Sequence, residues 1–207
     1  MENEKIKNQT SSDNTELPAS DVKMLPIEEM KKWYEKMTEF GKEILKLNID
    51  YGLLEGSDKP ALLKPGAEKI KKAFGLQVER MDCVREIFDI DNNYMDYTYK
   101  CIITSKNGLR LGICDGNANS KENKFRYIFK PSEKVPVKKD LDKMKLEGRG
   151  KWKKCSDKWV WFERGENPDV LSLKNSIQKI AQKRAFVGAI LMATGASEFF
   201  TQDIIIN

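Results

Sequence analysis

Residues 94–115 read YMDYTYKCIITSKNGLRLGICD, and this stretch decides the fold. Apolar and polar residues alternate on both sides of Asn107-Gly108, a dipeptide that strongly favours a two-residue hairpin turn. A turn centred there makes the indices of paired residues sum to 215. The predicted pairs include Cys101 with Cys114, Tyr99 with Gly116 and Ile103 with Gly112. One face of the hairpin then sets large side chains against small ones, as in a sheet covered by a helix.

Helical spacing of apolar residues appears on both sides of this hairpin. It predicts helices over residues 27–47, 65–74 and 171–194, the last of them ended by Gly195. A second, tighter hairpin is expected over residues 152–162. The predicted fold class is α+β, with an antiparallel β-meander and hairpins packed by N-terminal helices and a long basic C-terminal helix.

Composition divides the chain into an arm and a domain. Residues 1–23 are rich in Asn, Ser, Thr and Glu and poor in large apolar side chains, so we expect a disordered arm. Residues 24–207 are expected to form a single α+β domain. Within it, residues 125–129 look like a strand, and residues 130–150 look like a basic connector.

The residue types that are absent exclude several functions. The 207 residues contain no histidine, which excludes a Ser-His-Asp hydrolase and a His-ligated metal site. The four cysteines form no Cys-x-x-Cys pair, and no phosphate-binding P-loop is present. We therefore expect no metal, no cofactor and no use of ATP. No apolar stretch approaches the length of a membrane span, so we expect a cytoplasmic protein with reduced cysteines that binds no membrane.

Positive charge is concentrated in the C-terminal half. Residues 121–154 contain 13 Lys and Arg against five acids, whereas the whole chain has a net charge of only +5. A segregated positive field is typical of a protein that binds a polyanion, although a solvated lysine loop gives the same count.

Aromatic residues lie among these cations. Trp152, Trp159 and Trp161 alternate with Lys151, Lys153, Lys154 and Lys158. Aromatic rings beside ammonium groups hold unpaired bases in proteins that bind single strands. Alternatively, Trp159 and Trp161 lie two residues apart on one strand face and pack into the core.

Two further segments carry candidate anion ligands. In the C-terminal helix Lys179 and Lys183 form a ridge, and Arg184 lies in the apolar stripe, where it needs a carboxylate, a carbonyl or a phosphate. The helix that opens at Pro65-Gly66 exposes N–H groups beside Lys64 and Lys69.

Carboxylates offer no decisive catalytic arrangement. Asp89, Asp91 and Asp115 are the candidate ligands for a magnesium-dependent nuclease, which stays an alternative function. A protein-interaction module that binds no nucleic acid is the other alternative.

Four segments together resemble a known group of proteins. They are DYGLLEGSDKPALLKPGAEK at 50–69, NANSKENKFRY at 117–127, NSIQKIAQKRAFV at 175–187 and ATGASEFFTQD at 193–203. In this order they resemble a group of recombination proteins carried by bacteriophages and prophages. Their layout is similar to that of the single-strand-annealing recombinases of the Sak and Erf kind.

The resemblance implies a function and a site. It implies single-stranded DNA binding, ATP-independent strand annealing in phage or mobile-element recombination, and a homo-oligomeric ring or filament. It implies that Lys179, Lys183 and Arg184 line a groove to which Lys121, Lys124 and Arg126 contribute. With the residues singled out above, the full predicted nucleic-acid-binding set is Lys64, Lys69, Lys121, Lys124, Arg126, Lys151, Trp152, Lys153, Lys154, Lys179, Lys183 and Arg184.

Overall fold

A computed structural model of the chain describes residues 26–53 and 57–201. The predicted disordered arm over residues 1–23 lies outside the described residues, as do the last two positions of the segment 193–203. The described chain divides into two compact units, of which the first ends at Gly41 and the second begins at Lys42. The single domain over residues 24–207 therefore stays a prediction.

Five α-helices and eight strands lie within the described residues. The helices are α1 (Ile27–Ile44), α2 (Lys64–Ala73), α3 (Asn123–Arg126), α4 (Lys138–Leu146) and α5 (Lys174–Thr194). The strands are β1 (Tyr51–Gly52), β2 (Ala61–Leu62), β3 (Gln77–Asp89), β4 (Tyr94–Thr104), β5 (Arg110–Asn119), β6 (Tyr127–Pro131), β7 (Gly150–Cys155) and β8 (Lys158–Glu166). This arrangement confirms the α+β fold class with antiparallel hairpins and a long C-terminal helix.

The central sheet is the antiparallel meander in the order β3-β4-β5. Away from the turn its register confirms the predicted sum, because Cys101 pairs with Cys114 and Ile103 pairs with Gly112. The predicted two-residue turn is wrong: the Gly108 N–H donates to the Ser105 carbonyl, and the loop spans residues 106–108. A register shift between Ile103 and Thr104 restores the predicted pairing. The face of β4 that carries Tyr97 is buried, and α5 packs across β4 and β5. The helix α2 contacts α5 in turn.

Two glycines in β5 allow α5 to approach the sheet closely. A Cβ atom at Gly112 would collide with the carbonyl oxygen of Ala189, and one at Gly116 would collide with the backbone of Ala181 and Ala185. The three alanines lie four residues apart, so they form one ridge of α5. Small residues on both elements therefore bring the backbones of helix and strand into direct contact.

The small sheet has the order β6-β8-β7. The tight turn predicted after β7 is confirmed, since Cys155 pairs with Lys158 and Ser156 takes a left-handed conformation with φ of 54°. The predicted strand over 125–129 instead begins at residue 127, because residues 123–126 form the short helix α3 around the buried side chain of Phe125. The expected connector over 130–150 contains α4.

No helix in the described ranges 26–53 and 57–201 is long and apolar enough to cross a membrane.

Replacing Gly116 with alanine should destabilise the protein by about 3 kcal/mol, because the added methyl group meets helix backbone that has no room to move. Urea unfolding followed by circular dichroism measures the loss. Gly165→Ala is the matched control, since a Cβ atom there meets nothing within 4 Å. Equal stability of Gly116→Ala and the control would contradict the close contact.

Candidate nucleic-acid interface

A groove of about 1070 Å³ lies between α2, the start of β3 and α5. Its described lining carries six lysines and a single carboxylate, that of Glu68. The lysines are Lys64, Lys71, Lys72, Lys106, Lys179 and Lys183. The structure thus brings three predicted residues, Lys64, Lys179 and Lys183, to one concave surface, which we call the lysine groove.

Helical periodicity explains the α2 wall of the lysine groove. Glu68 follows Lys64 by four residues, and Lys71 and Lys72 follow Glu68 by three and four, so the four side chains share one face of α2. The opposite face buries Ile70 and holds the helix in place. Lys64 Nζ lies 3.5 Å from Glu68 Oε1, but both side chains are more than half exposed. An exposed pair of this kind contributes little and leaves the wall positive.

The floor of the lysine groove is apolar. It is formed by Leu76, Val78, Met81, Ile180 and Phe186. At its rim the stem of Lys106 packs on Gly75, whose φ of 65° ends α2 in the left-handed conformation. The groove therefore combines ammonium groups along its walls with an apolar surface between them.

Lys183 lies in the most crowded part of this positive field. Its side chain is partly buried, and burial is the main cause that lowers the pKa of its ammonium group below the ordinary value. Repulsion by Lys124 and then by Arg184 lowers that pKa further. The negative charge of a bound phosphate would offset the repulsion from Lys124 and Arg184 and favour the charged form of Lys183.

Arg184 is held by partners within the protein. Its Nη1 donates to Glu122 Oε1 at 2.7 Å and to the carbonyl oxygen of Asn117 at 2.6 Å, while its Nη2 donates to Glu122 Oε2 at 3.0 Å. Lys124 Nζ lies 3.1 Å from the same carboxylate. Of the three partners that the sequence left open, the carboxylate and the carbonyl are present. Arg184 therefore ties α5 to β5 and holds Lys124 near Lys183.

Lys69 is occupied in a similar way. Its Nζ donates to Asp50 Oδ2 at 2.5 Å and to the carbonyl oxygen of Ile44 at 3.2 Å. Burial raises the pKa of Asp50, but the hydrogen bonds from Lys69 and from the Lys46 backbone outweigh it and keep the pKa below its ordinary value. The expected cluster of Lys64 and Lys69 around the start of α2 is therefore split, because Lys69 neutralises a buried carboxylate.

The tryptophans of the second hairpin share one face of the small sheet, and Lys151 and Lys153 lie on the other. Trp152 pairs with Trp161, and their rings meet edge to face with centroids 5.4 Å apart. Trp161 is buried against Gly150. Because side chains alternate along a strand, Lys151 and Lys153 project to the other face. The expected surface of Trp152 with Lys151 and Lys153 is therefore not formed, and Lys154 shares the tryptophan face.

That other face carries a different set of aromatic rings and cations. We call it the aromatic face, and it consists of Tyr127, Phe129, Phe162, Lys151, Lys153 and Arg164. Lys151 Nζ lies 3.9 Å from the centroid of the Phe129 ring, and Arg164 Cζ lies 4.1 Å from that of Tyr127. Such exposed cation–π contacts contribute about 0.5–1 kcal/mol each, less than the roughly 1–3 kcal/mol of stacking a base on a ring.

Two further predicted residues lie away from the lysine groove. Arg126 pairs with Glu166 at 3.1 Å, and its Cζ lies 5.1 Å from the centroid of the Tyr127 ring. Lys121 Nζ lies 6.0 Å from the centroid of the Tyr94 ring.

The carboxylates considered for a nuclease are dispersed. Asp89 accepts hydrogen bonds from the backbone and the side chain of Asn92, and Asp115 pairs with Lys100 at 3.2 Å. Among the residues that the structure describes, no group of three or more His, Cys, Asp and Glu side chains is placed to hold a metal ion.

Sequence reasoning missed part of both surfaces. Lys71 and Lys72 could have been found, because they follow Lys64 at helical spacing. Lys106 lies in the hairpin turn, and no sequence pattern directs it toward α2. On the aromatic face, Phe129 and Arg164 come from strands whose pairing joins residues 35 positions apart, and no short-range signal predicts that pairing.

Comparison with known proteins gives no relative: no family model, no curated protein and no solved structure matches this chain.

The Arg184–Glu122 pair predicts a pH dependence of stability. Burial raises the pKa of Glu122, but Arg184 and then Lys124 outweigh it, so the net pKa falls below the ordinary value of 4.5. A carboxyl group whose pKa is lower in the folded protein than in the unfolded chain stabilises the fold at pH values above the unfolded pKa. This stabilisation is lost as the pH falls through the folded pKa. We therefore expect the stability advantage of the wild type over Glu122→Gln to be full at pH 6 and to shrink below pH 4.5.

Chemical unfolding at several pH values measures this advantage. In Arg184→Gln the carboxylate loses its guanidinium partner, so that variant should show a weaker pH dependence than the wild type. An advantage over Glu122→Gln that does not change with pH would contradict the assignment.

Proposed function

We propose that this protein binds single-stranded DNA in the lysine groove and promotes pairing of complementary strands without ATP. The observation that carries the proposal is the charge of the groove, in which six lysines and one carboxylate line a single concave surface. A cationic cleft focuses its field on a polyanion, and each neutralised phosphate releases counterions.

The apolar floor favours a single strand over a duplex. Val78, Met81 and Ile180 offer an apolar surface between the lysines of the walls. In a duplex the faces of the bases are stacked on each other and cannot reach such a surface. In an unpaired strand the bases and sugars are free to cover it while the phosphates meet the ammonium groups.

The remaining parts of the proposal depend on the resemblance of the four segments to phage annealing recombinases. They are strand annealing in phage or mobile-element recombination, a homo-oligomeric ring or filament, and a cytoplasmic location. Electrostatic attraction does not by itself distinguish DNA from RNA, so an RNA oligonucleotide belongs in each binding assay.

Binding to single strands should depend steeply on salt. Six neutralised phosphates predict a log–log slope of roughly −4, and replacing Lys72, Lys179 and Lys183 by glutamine should reduce its magnitude by about 2. For this triple variant the same relation predicts an affinity about 100-fold lower than that of the wild type at 0.1 M salt. Fluorescence anisotropy of a labelled oligonucleotide, titrated at several salt concentrations, measures both quantities.

A matched control removes the same charge elsewhere. Replacing Lys138, Lys139 and Lys143 of α4 by glutamine also removes three cations, but none of them lines the lysine groove. We expect this variant to bind much as the wild type does. Equal losses in both variants would indicate a diffuse lysine-rich surface, and tighter binding to duplex than to single strands would overturn the proposal.

Strand pairing is tested in one tube with two complementary oligonucleotides that carry a fluorophore and a quencher. Without ATP the protein should accelerate pairing by about tenfold or more, as expected where a positive field raises the rate of encounter. The variant Lys72→Gln/Lys179→Gln/Lys183→Gln should lose the acceleration. Binding without faster pairing would overturn the annealing part alone, and shortened oligonucleotides in the presence of Mg²⁺ would favour the nuclease.

A further inference from the structure

We propose that the aromatic face of the small sheet is a second binding site, which holds two or three successive unpaired bases of the nucleic-acid strand. This inference rests on the proposed function and adds to it the recognition of bases. The lysine groove explains affinity for phosphates, whereas the aromatic face explains a preference for bases that are not stacked in a duplex.

Strand register places the rings and cations of this site on one side of the sheet. Phe129 pairs directly with Arg164, and Phe162 pairs directly with Lys151. Tyr127 lies two residues before Phe129 and therefore projects to the same side. The direct partner of Tyr127 is Glu166, and the cation over its ring is Arg164. Each of the three rings thus has a cation beside it, and one carboxylate lies at the Tyr127 end of the row.

The rings of the aromatic face are not needed for the core of the small sheet. The tryptophan face on the opposite side provides that core, because Trp161 is 1% exposed and its Nε1 donates to Glu163 at 3.1 Å. Tyr127, Phe129 and Phe162 are all partly exposed. Aromatic side chains that stay accessible although the core lies on the other side are suited to contact a ligand.

A nucleotide provides both chemical features that this face would bind. Its base is a planar ring that stacks on Phe129 or Phe162, and its phosphate is an anion that pairs with a cation. The ammonium groups of Lys151 and Lys153 lie 3.9 Å and 5.0 Å from ring centroids. The flexible side chains of these lysines allow the ammonium groups to move from the rings to phosphates when bases stack on the rings. An acidic peptide would leave the rings without a partner, and an apolar peptide would leave the cations without one.

The aromatic face begins close in sequence to the lysine groove. Lys124 repels Lys183 at the groove and precedes Tyr127 by only three residues. Three residues span at most about 11 Å, so the first ring of the aromatic face lies within reach of the cations around Lys183. One strand therefore needs few nucleotides to contact both surfaces.

Photocrosslinking on the wild-type protein tests the site directly. An oligonucleotide that contains 5-iodouracil is irradiated with the protein, and the modified peptides are identified by mass spectrometry. We expect adducts at Tyr127, Phe129 or Phe162. Adducts confined to the lysine groove, for example at Phe186, would overturn the inference.

Substitutions provide an independent measurement. Phe129→Leu/Phe162→Leu keeps apolar volume but removes two stacking surfaces, so affinity for a single strand should fall by roughly 30-fold or more. The slope against salt should not change, because all cations remain. Trp159→Leu is the matched control, since this ring is 65% exposed on the opposite face of β8 and its loss should change affinity less than about twofold. Equal affinity of the double variant and the control would overturn the inference.

The two proposals fail in distinguishable ways. If the lysine variant has the predicted weaker salt slope and no adduct forms on the aromatic face, the proposed function stands and this inference is wrong. If adducts form on the aromatic face but the lysine variant keeps the wild-type slope, the proposal that the strand binds in the lysine groove is wrong and this inference stands. If the wild type binds no oligonucleotide, both are wrong.

Discussion

The contact between α5 and β5 is the constraint on which the rest of the structure depends. Gly112 and Gly116 lack the side chains that would push the helix away, and alanines four residues apart form the ridge that lies on them. A contact between two backbones permits only one register of the helix on the strand. Lys179 and Lys183 lie two residues from Ala181, about 200° around the helix, so the same register turns them away from β5 and into the groove.

The position of Lys183 in the groove lowers the stability of the protein when no anion is bound. Lys183 is partly buried beside Lys124 and Arg184, and its lowered pKa reflects both burial and repulsion. Glu122 offsets part of the repulsion, since its two oxygens accept hydrogen bonds from Arg184 and pair with Lys124. One carboxylate among three cations leaves a net positive charge. A polyanion would complete this neutralisation, as the proposed function requires.

The features that could be predicted from the sequence are those that depend on a few neighbouring residues. The Asn107-Gly108 dipeptide places the hairpin, and Gly195 places the end of α5, so both were predictable. The turn has one residue more than the dipeptide predicts, and a register shift between Ile103 and Thr104 compensates for it. The tryptophan surface was expected because Trp152 and Lys151 are adjacent in sequence, but adjacent residues of a strand face opposite ways. The lysine groove joins residues from α2 to α5, and only tertiary packing brings such distant segments together.

Under the proposed function, the lysine groove and the aromatic face would contribute to holding and pairing a strand through two different interactions. Attraction between lysines and phosphates is long-range and does not depend on sequence, so it gathers strands and allows them to slide. Stacking on Phe129 or Phe162 is short-range and requires an unpaired base. Once two strands pair, their bases stack on each other and leave the rings, whereas the phosphates remain attractive to the groove. A duplex would lose the stacking on the aromatic face and would therefore bind more weakly than a single strand. The aromatic face would thus favour binding of the unpaired strand and release of the paired duplex.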